Sequence, residues 1–281
     1  MNSAYKTTDC DSFVENWTRL PDVNPRDLNY CITFPQKLAS GLPSVALLTD
    51  PDELTYALCY EVKPSPETMK HVLADLIAPR LLAHGGHFVL HCGMVGCSEK
   101  ALGFMGPSGF GKSTMTASLH HRGLTLMSDD AALLREGSQT YHAERLYPSL
   151  RLFPDSIDQM FQDIKSTRPV ADYTDKRHVA FTPGPTSAPL AALFCLADPA
   201  DEIRVSRLTY TEACMALIAN SFALNPADPP EAKRRFIKAT EVASRIPVYN
   251  LHYPRDFDAL PKVHALIFKT IGLKHLEEST A

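Results

Sequence analysis

The chain has 281 residues, 44% hydrophobic and 21% charged, with 28 Lys+Arg against 32 Asp+Glu and a formal net charge of −4. That length allows one large domain or two small ones, and the slightly acidic balance lacks the basic surplus that nucleic-acid binding calls for. With no apolar run of about eighteen residues and no charged-then-apolar N-terminus, the sequence predicts neither a membrane span nor a secretory signal. The cysteines (Cys10, Cys31, Cys59, Cys92, Cys97, Cys195 and Cys214) are odd in number, scattered and free of any C-x-x-C pair. They read as reduced thiols of a cytoplasmic protein, not as a disulfide frame or a zinc site.

In chain order, residues 1 to about 26 are polar and aperiodic, and read as a loose leader. Residues 28–34, 45–48 and 54–62 have strand-like lengths and are separated by turn-rich stretches at 39–43 and 49–52. Ser65 followed by Pro66 reads as a helix start, with Met69, Val72, Leu73, Leu76, Ile77 and Leu81 marking one apolar face at helical spacing. Residues 1–84 thus read as a small strand and helix layer packed on a core domain at 85–281. His84 and His87 flank Gly85 and Gly86 in what reads as a solvated loop, a metal site being the alternative.

The run Phe88, Val89, Leu90 ends at His91, continues through Cys92, Gly93, Met94 and Val95, and turns over residues 96–100, the pattern of a strand entering a hairpin. A lone histidine there is ordinarily just packed and hydrogen-bonded. The next strand, 101–105, feeds residues 106–114, GPSGFGKST, which fit the phosphate-cradling pattern with Gly106, Gly111, Lys112 and Ser113 in place. Glycines let backbone N–H groups turn onto phosphates, Lys112 neutralises the terminal ones, and the Ser113 hydroxyl suits Mg²⁺. Pro107, Ser108, Gly109, Phe110 and Thr114 complete the candidate ATP-binding set.

A helix over 113–122 would rise about 15 Å, and a strand of about five residues returns nearly the same distance. A right-handed crossover then brings Asp129 and Asp130, which follow Leu124, Leu126 and Met127, to the sheet edge that carries the loop. Two acids there can hold Mg²⁺ and take a proton from an attacking hydroxyl, the tasks phosphoryl transfer leaves to a protein, and Asp129 is the candidate for the ion. The plain alternative is a turn or helix cap.

Further on, Thr174 to His178 reads TDKRH, a cationic cluster in what reads as a loop, where Lys176 or Arg177 could stabilise a transferring phosphoryl group. Residues 190–196 read as a strand, with 203–208 pairing to it across the acidic turn at 198–202. Helices are predicted over 211–220, 230–244 and 257–272, and proline-rich loops at 183–189 and 226–230.

Together, LHCGMV, GFMGPSGFGKST and RGLTLMSDD resemble the catalytic domain of the HPr kinase/phosphorylase family, bacterial kinases that phosphorylate a serine on a small carrier protein. In that family a histidine lies 21 positions before the loop lysine and a proton-accepting aspartate 18 positions after it; here 112 − 91 = 21 and 130 − 112 = 18. The resemblance implies catalytic roles for His91, Lys112 and Asp130 and a magnesium ligand in Ser113. It implies an α/β fold with a phosphate-binding loop on a mixed sheet, akin to phosphoenolpyruvate carboxykinase, beside which the N-terminal α+β layer read from the pattern of residues 1–84 would pack. It covers roughly residues 85 to 155 and fades beyond.

The chain also departs from that pattern. The family's second magnesium ligand is a glutamate just ahead of an IRG signature; here Ser149 and Leu150 precede Arg151, in SLRLFPDS. Asp155 is the candidate substitute, or else it caps the helix after Pro154. Thr114 stands where the family has a glutamate, so the reverse, phosphorolytic reaction is not expected. Length and these variants look closer to a branch that includes lasso peptide tailoring kinases, which phosphorylate the C-terminal serine of a precursor peptide. The expectation is a cytoplasmic, ATP- and Mg²⁺-dependent serine kinase acting on a peptide or small protein, without nucleic-acid or membrane partners. The parent family forms rings, so a homo-oligomer is an open expectation. The alternatives are a nucleotide-binding regulatory protein without transfer, and a kinase of small molecules.

Overall fold

A computed structural model describes residues 65–97, 99–146, 149–161 and 167–272, together with the strands β1 (Thr18–Arg19), β2 (Tyr30–Lys37), β3 (Pro43–Asp50) and β4 (Thr55–Cys59). These four make one sheet in the order β1-β4-β3-β2. Apart from β1, the expected leader lies outside the described residues, as do most of the turns expected between these strands.

The helix predicted from Ser65 begins there. The Ser65 hydroxyl accepts from the Thr68 N–H, and Pro66, which has no N–H to satisfy, opens α1 (Pro66–His71). The helix then widens into a π-helical stretch, Val72–Ile77, before resuming as α2 (Ala78–His84). The expected apolar face is buried at Val72, Leu73, Ile77 and Leu81, and Leu82 packs against Val89 and Leu133 of the sheet that follows, with Ala131 beside them.

That sheet has nine strands. Its main path runs β5 (Phe88–Leu90), β9 (Ala132–Glu136), β10 (Tyr141–Arg145), β14 (Ser187–Leu196), β7 (Lys100–Met105), β6 (Cys92–Cys97), β8 (Thr125–Ser128). The sheet is mixed: β14 is parallel to β7, while β6 is antiparallel to both β7 and β8. Hence β7 and β8 run the same way with β6 between them, and the helix α3 (Lys112–His121) that joins them crosses one strand. The middle strands are buried on both faces. On β14, Ala192, Phe194 and Leu196 enter one core with Met115, Leu119, Val263 and Ile267, whereas Leu193 and Cys195 enter the other with Leu217 and Val242. This period of two on doubly covered strands is why they read as unbroken apolar runs.

Three elements differ from the sequence expectation. The segment 203–208 forms β15 (Arg204–Arg207), but it pairs with β16 (Val248–His252), which lies parallel to β14. The intervening strand is short and buries only Val248 and Leu251, so it carries little signal. The TDKRH segment is no loop: it is β13 (Thr174–Val179), the middle strand of a small sheet with β11 (Leu150–Leu152) and β12 (Thr167–Ala171). The last predicted helix is split, a 3₁₀ turn at Phe257–Ala259 leading into α7 (Leu260–Thr270). The other helices are α4 (Pro154–Met160), α5 (Tyr210–Ala219) and α6 (Pro229–Arg245). No described helix is long and apolar enough to cross a membrane.

Candidate active site

The chain leaves β7 at Met105 and turns into α3 through residues 106–111. Gly106 has φ 146° and Gly111 has φ 86°; a Cβ at Gly106 would stand 3.0 Å from the Leu196 carbonyl oxygen, so both positions need glycine. The Gly106 N–H donates to Asn220 Oδ1 at 3.0 Å. Lys112 folds back over this turn, donating from Nζ to the Gly106 and Pro107 carbonyls at 2.8 and 3.0 Å. Burial holds its pKa below the ordinary lysine value, with nearby Asp130 opposing the shift. Ser108, Gly109, Gly111, Lys112, Ser113 and Thr114 line one wall of a cleft. Pro107 contributes only its carbonyl to Lys112, and Phe110 packs toward the core with Arg255 5.8 Å from its ring centroid.

The facing wall is built where β8 ends. Asp129, expected to face the nucleotide, is 1% exposed and does not itself line the cleft; its Oδ2 accepts the Arg151 backbone N–H at 2.9 Å. Its Oδ1 is buried without a hydrogen-bond partner of ordinary geometry. Desolvation raises the Asp129 pKa, and Arg151 and the Ser113 hydroxyl nearby act against that rise. Asp130 is more open, with Oδ1 3.0 Å from His91 Nε2 and Oδ2 3.0 Å from Arg151 Nη2. Desolvation pushes this carboxyl up, but the Arg151 charge and the His91 bond outweigh it, and the group titrates well below the usual carboxylate range. Asp130 is therefore ionised at neutral pH.

His91 sits at the break between β5 and β6, where the chain changes partner from β9 to β7. Its N–H donates to the Asn220 carbonyl at 2.7 Å, and its ring lies 5.7 Å from that of Phe222. The segment after α5 thus fixes both His91 and Gly106.

Among the remaining expected residues, Lys176 reaches the cleft, its Nζ 5.4 Å from the centroid of the Phe153 ring. Arg177 does not. Alternation along β13 turns it to the other side, where its guanidinium donates to the Thr167 side chain and carbonyl at 2.5 and 3.1 Å. Asp155 is in the first turn of α4, where its Oδ1 accepts the Ser156 N–H at 2.7 Å, and it does not line the cleft. Ser149 bonds His178 at 2.6 Å, and burial, assisted by Arg151, lowers that histidine to about 4.

The sequence marks Arg151 only as the residue that follows Ser149 and Leu150, yet it is 3% exposed and lies against both Asp130 of the cleft and the buried Asp129. The available signal was a single arginine inside the apolar run Leu150, Arg151, Leu152, since an unpaired charge in such a strand is rare.

No family model and no curated protein matches the chain. Among solved structures it is similar to the Hpr(Ser) kinase/phosphatase from Coxiella burnetii, at 10% identity and a TM-score of 0.34, covering 65% of this chain and 95% of that one. A likeness at that score carries no weight for fold or function.

The donor set also bears on a cation. Among the described residues no group of three or more His, Cys, Asp or Glu side chains is gathered to hold a metal. A buried carboxylate oxygen without a partner, beside the Ser113 hydroxyl, does suit Mg²⁺, which takes one or two protein ligands and completes its shell with phosphate oxygens and water. Ser113 and Asp129 therefore fit the ion. It would supply neutralisation of phosphate charge.

Proposed function

We propose that this protein is an ATP- and Mg²⁺-dependent kinase that transfers a phosphoryl group to a serine hydroxyl of a peptide or small protein. One observation carries the reading: a glycine-turned loop bearing Lys112 shares a cleft with an ionised aspartate hydrogen-bonded to a histidine and ion-paired with an arginine. The phosphates of ATP would be held by the N–H groups of residues 108–114, and Ser113 and Asp129 would hold Mg²⁺, which would neutralise phosphate charge. The acceptor oxygen attacks the terminal phosphorus, the bond from that phosphorus to the ADP oxygen breaks, and the hydroxyl proton passes to Asp130. His91 holds Asp130 Oδ1, and Lys112 and Lys176 face the charge on the moving group. An aspartate with so low a pKa is a weak base, so the proton leaves late, as suits the loose transition state of phosphoryl transfer.

The resemblance to tailoring kinases favours, as acceptor, a lasso peptide precursor ending in serine. The test is to incubate the protein with ATP, Mg²⁺ and peptides ending in serine, and to seek a mass increase of one phosphoryl group on that residue. A second reading, a nucleotide-binding protein that transfers nothing, is favoured by Ser149 standing where a further carboxylate ligand would be. ATP binding without transfer to any peptide or small-molecule hydroxyl would establish that reading and end the kinase proposal.

A further inference from the structure

Arg151 has a second side. While Nε and Nη2 face Asp129 and Asp130, Nη1 donates to Asp75 Oδ2. Asp75 belongs to the helical stretch ahead of the sheet, is 4% exposed, and receives His71 Nδ1 on the same oxygen. It does not line the cleft, and the transfer chemistry makes no use of it.

Local sequence explains how it arrives there. Pro79 has no N–H to return to the Asp75 carbonyl four residues back, and the ladder widens so that the Ala78 N–H reaches the Leu73 carbonyl, five residues back. Wide turns of this kind recur at functional sites. Val72, Leu73 and Ile77 are buried around the same turn, so the Asp75 carboxylate is held in apolar surroundings that demand a cation.

The consequence falls on Arg151. A guanidinium presents its donors in a rigid plane, so fixing Nη1 on Asp75 sets where Nε and Nη2 point. Nη2 then meets Asp130 Oδ2 and leaves Oδ1 to His91. Asp75 gives the guanidinium an anionic anchor separate from the two acids that must serve a cation and a proton. We propose that Asp75 is a positioning residue of the catalytic centre, acting through Arg151 to fix the orientation of Asp130. The kinetic part of this inference rests on the kinase reading.

The test compares wild type with Asp75→Asn, Arg151→Lys and the double variant. The measurements are thermal unfolding, affinity for a fluorescent ATP analogue, kcat on a phosphorylatable peptide, and the Arg151 side-chain N–H signals by NMR. Asp75→Asn is expected to stay folded, to bind nucleotide within about two-fold of wild type, to lose the resolved Arg151 Nη–H signals, and to lower kcat about 10- to 100-fold. In the Arg151→Lys background the same change should alter kcat by less than about two-fold, because its route of action is already gone. Unchanged kcat, unchanged Arg151 signals, or a loss that adds in full on Arg151→Lys would overturn the proposal. Should Asp75→Asn not fold, Asp75→Glu, which keeps the charge but moves it by a methylene, replaces it with the same expectations. A wild type that transfers nothing defeats the kinase reading, whereas the NMR comparison still decides whether Asp75 orients Arg151.

Discussion

His264 of α7 makes stability against acid a sharp test of how the loop helix is held. The residue is 3% exposed and its Nε2 lies 2.9 Å from Ser118 Oγ on α3, the helix that starts at the loop. The Ser118 hydroxyl donates to the Met115 carbonyl at 2.8 Å, so it accepts from His264 Nε2–H, leaving Nδ1 bare and buried without a partner. A second proton would have to sit on that nitrogen in an apolar pocket. Burial accordingly lowers the group from 6.5 to about 4, with Arg122 adding to the shift. The sign follows from linkage: above pH 6.5 both folded and unfolded chains carry a neutral ring. Below it the unfolded chain takes up a proton that the folded one refuses, so stability falls until the pH reaches about 4. The drop is about 2.5 pH units at about 1.4 kcal/mol each, or roughly 3 kcal/mol, a large share of the 5–15 kcal/mol typical of folded domains. Urea unfolding at several pH values between 7.5 and 4.5, for wild type and His264→Gln, reads this directly. The variant should lose a comparable part of the slope. Equal pH slopes in the two proteins would refute the neutral, buried imidazole and the docking of α7 on α3 through it.

Other outcomes follow from the same geometry. Lys112→Ala should weaken ATP binding by about 10- to 100-fold in a fluorescence titration, as charged hydrogen bonds to phosphate are each worth about 1.5–3 kcal/mol. Asp130→Asn should bind ATP within a few-fold of wild type yet lower kcat about 10²- to 10⁴-fold, the usual worth of a general base. Gly111→Ala puts a side chain at φ 86° and should cost about 1–2 kcal/mol, seen as a lowered thermal midpoint.

The most local features were the most legible. Ser65 with Pro66 announced a helix start, and the glycines with Lys112 announced a turn opening α3, because caps and positive-φ turns depend on a few adjacent residues. A single crossover was enough to bring Asp129 and Asp130 to the loop's edge of the sheet, whereas His91 could be placed only on a neighbouring strand, and its spacing to Lys112 took its meaning from the family resemblance. What the sequence hid is long-range. Arg151, Asp75 and Asn220 acquire their roles from partners up to 114 positions away, and nothing beside them in the chain marks those partners. Strand β13 reads as a loop because, although it is the middle strand of its sheet, it buries only Val179, so the apolar alternation that betrays a strand is missing.

The loop strand β7 and the acid strand β8 never touch as partners; each is hydrogen-bonded to β6 on opposite edges. The gap between loop and acids is thus one strand wide, and β6 is its gauge. A Cβ at Gly93 of that strand would meet Thr116 Oγ1 at 2.1 Å, so α3 lies directly on the gauge as well. A side chain grown there would have to displace the Thr116 side chain, whose hydroxyl donates to the Lys112 carbonyl at 2.7 Å, so crowding at the gauge reaches the loop lysine through its own helix.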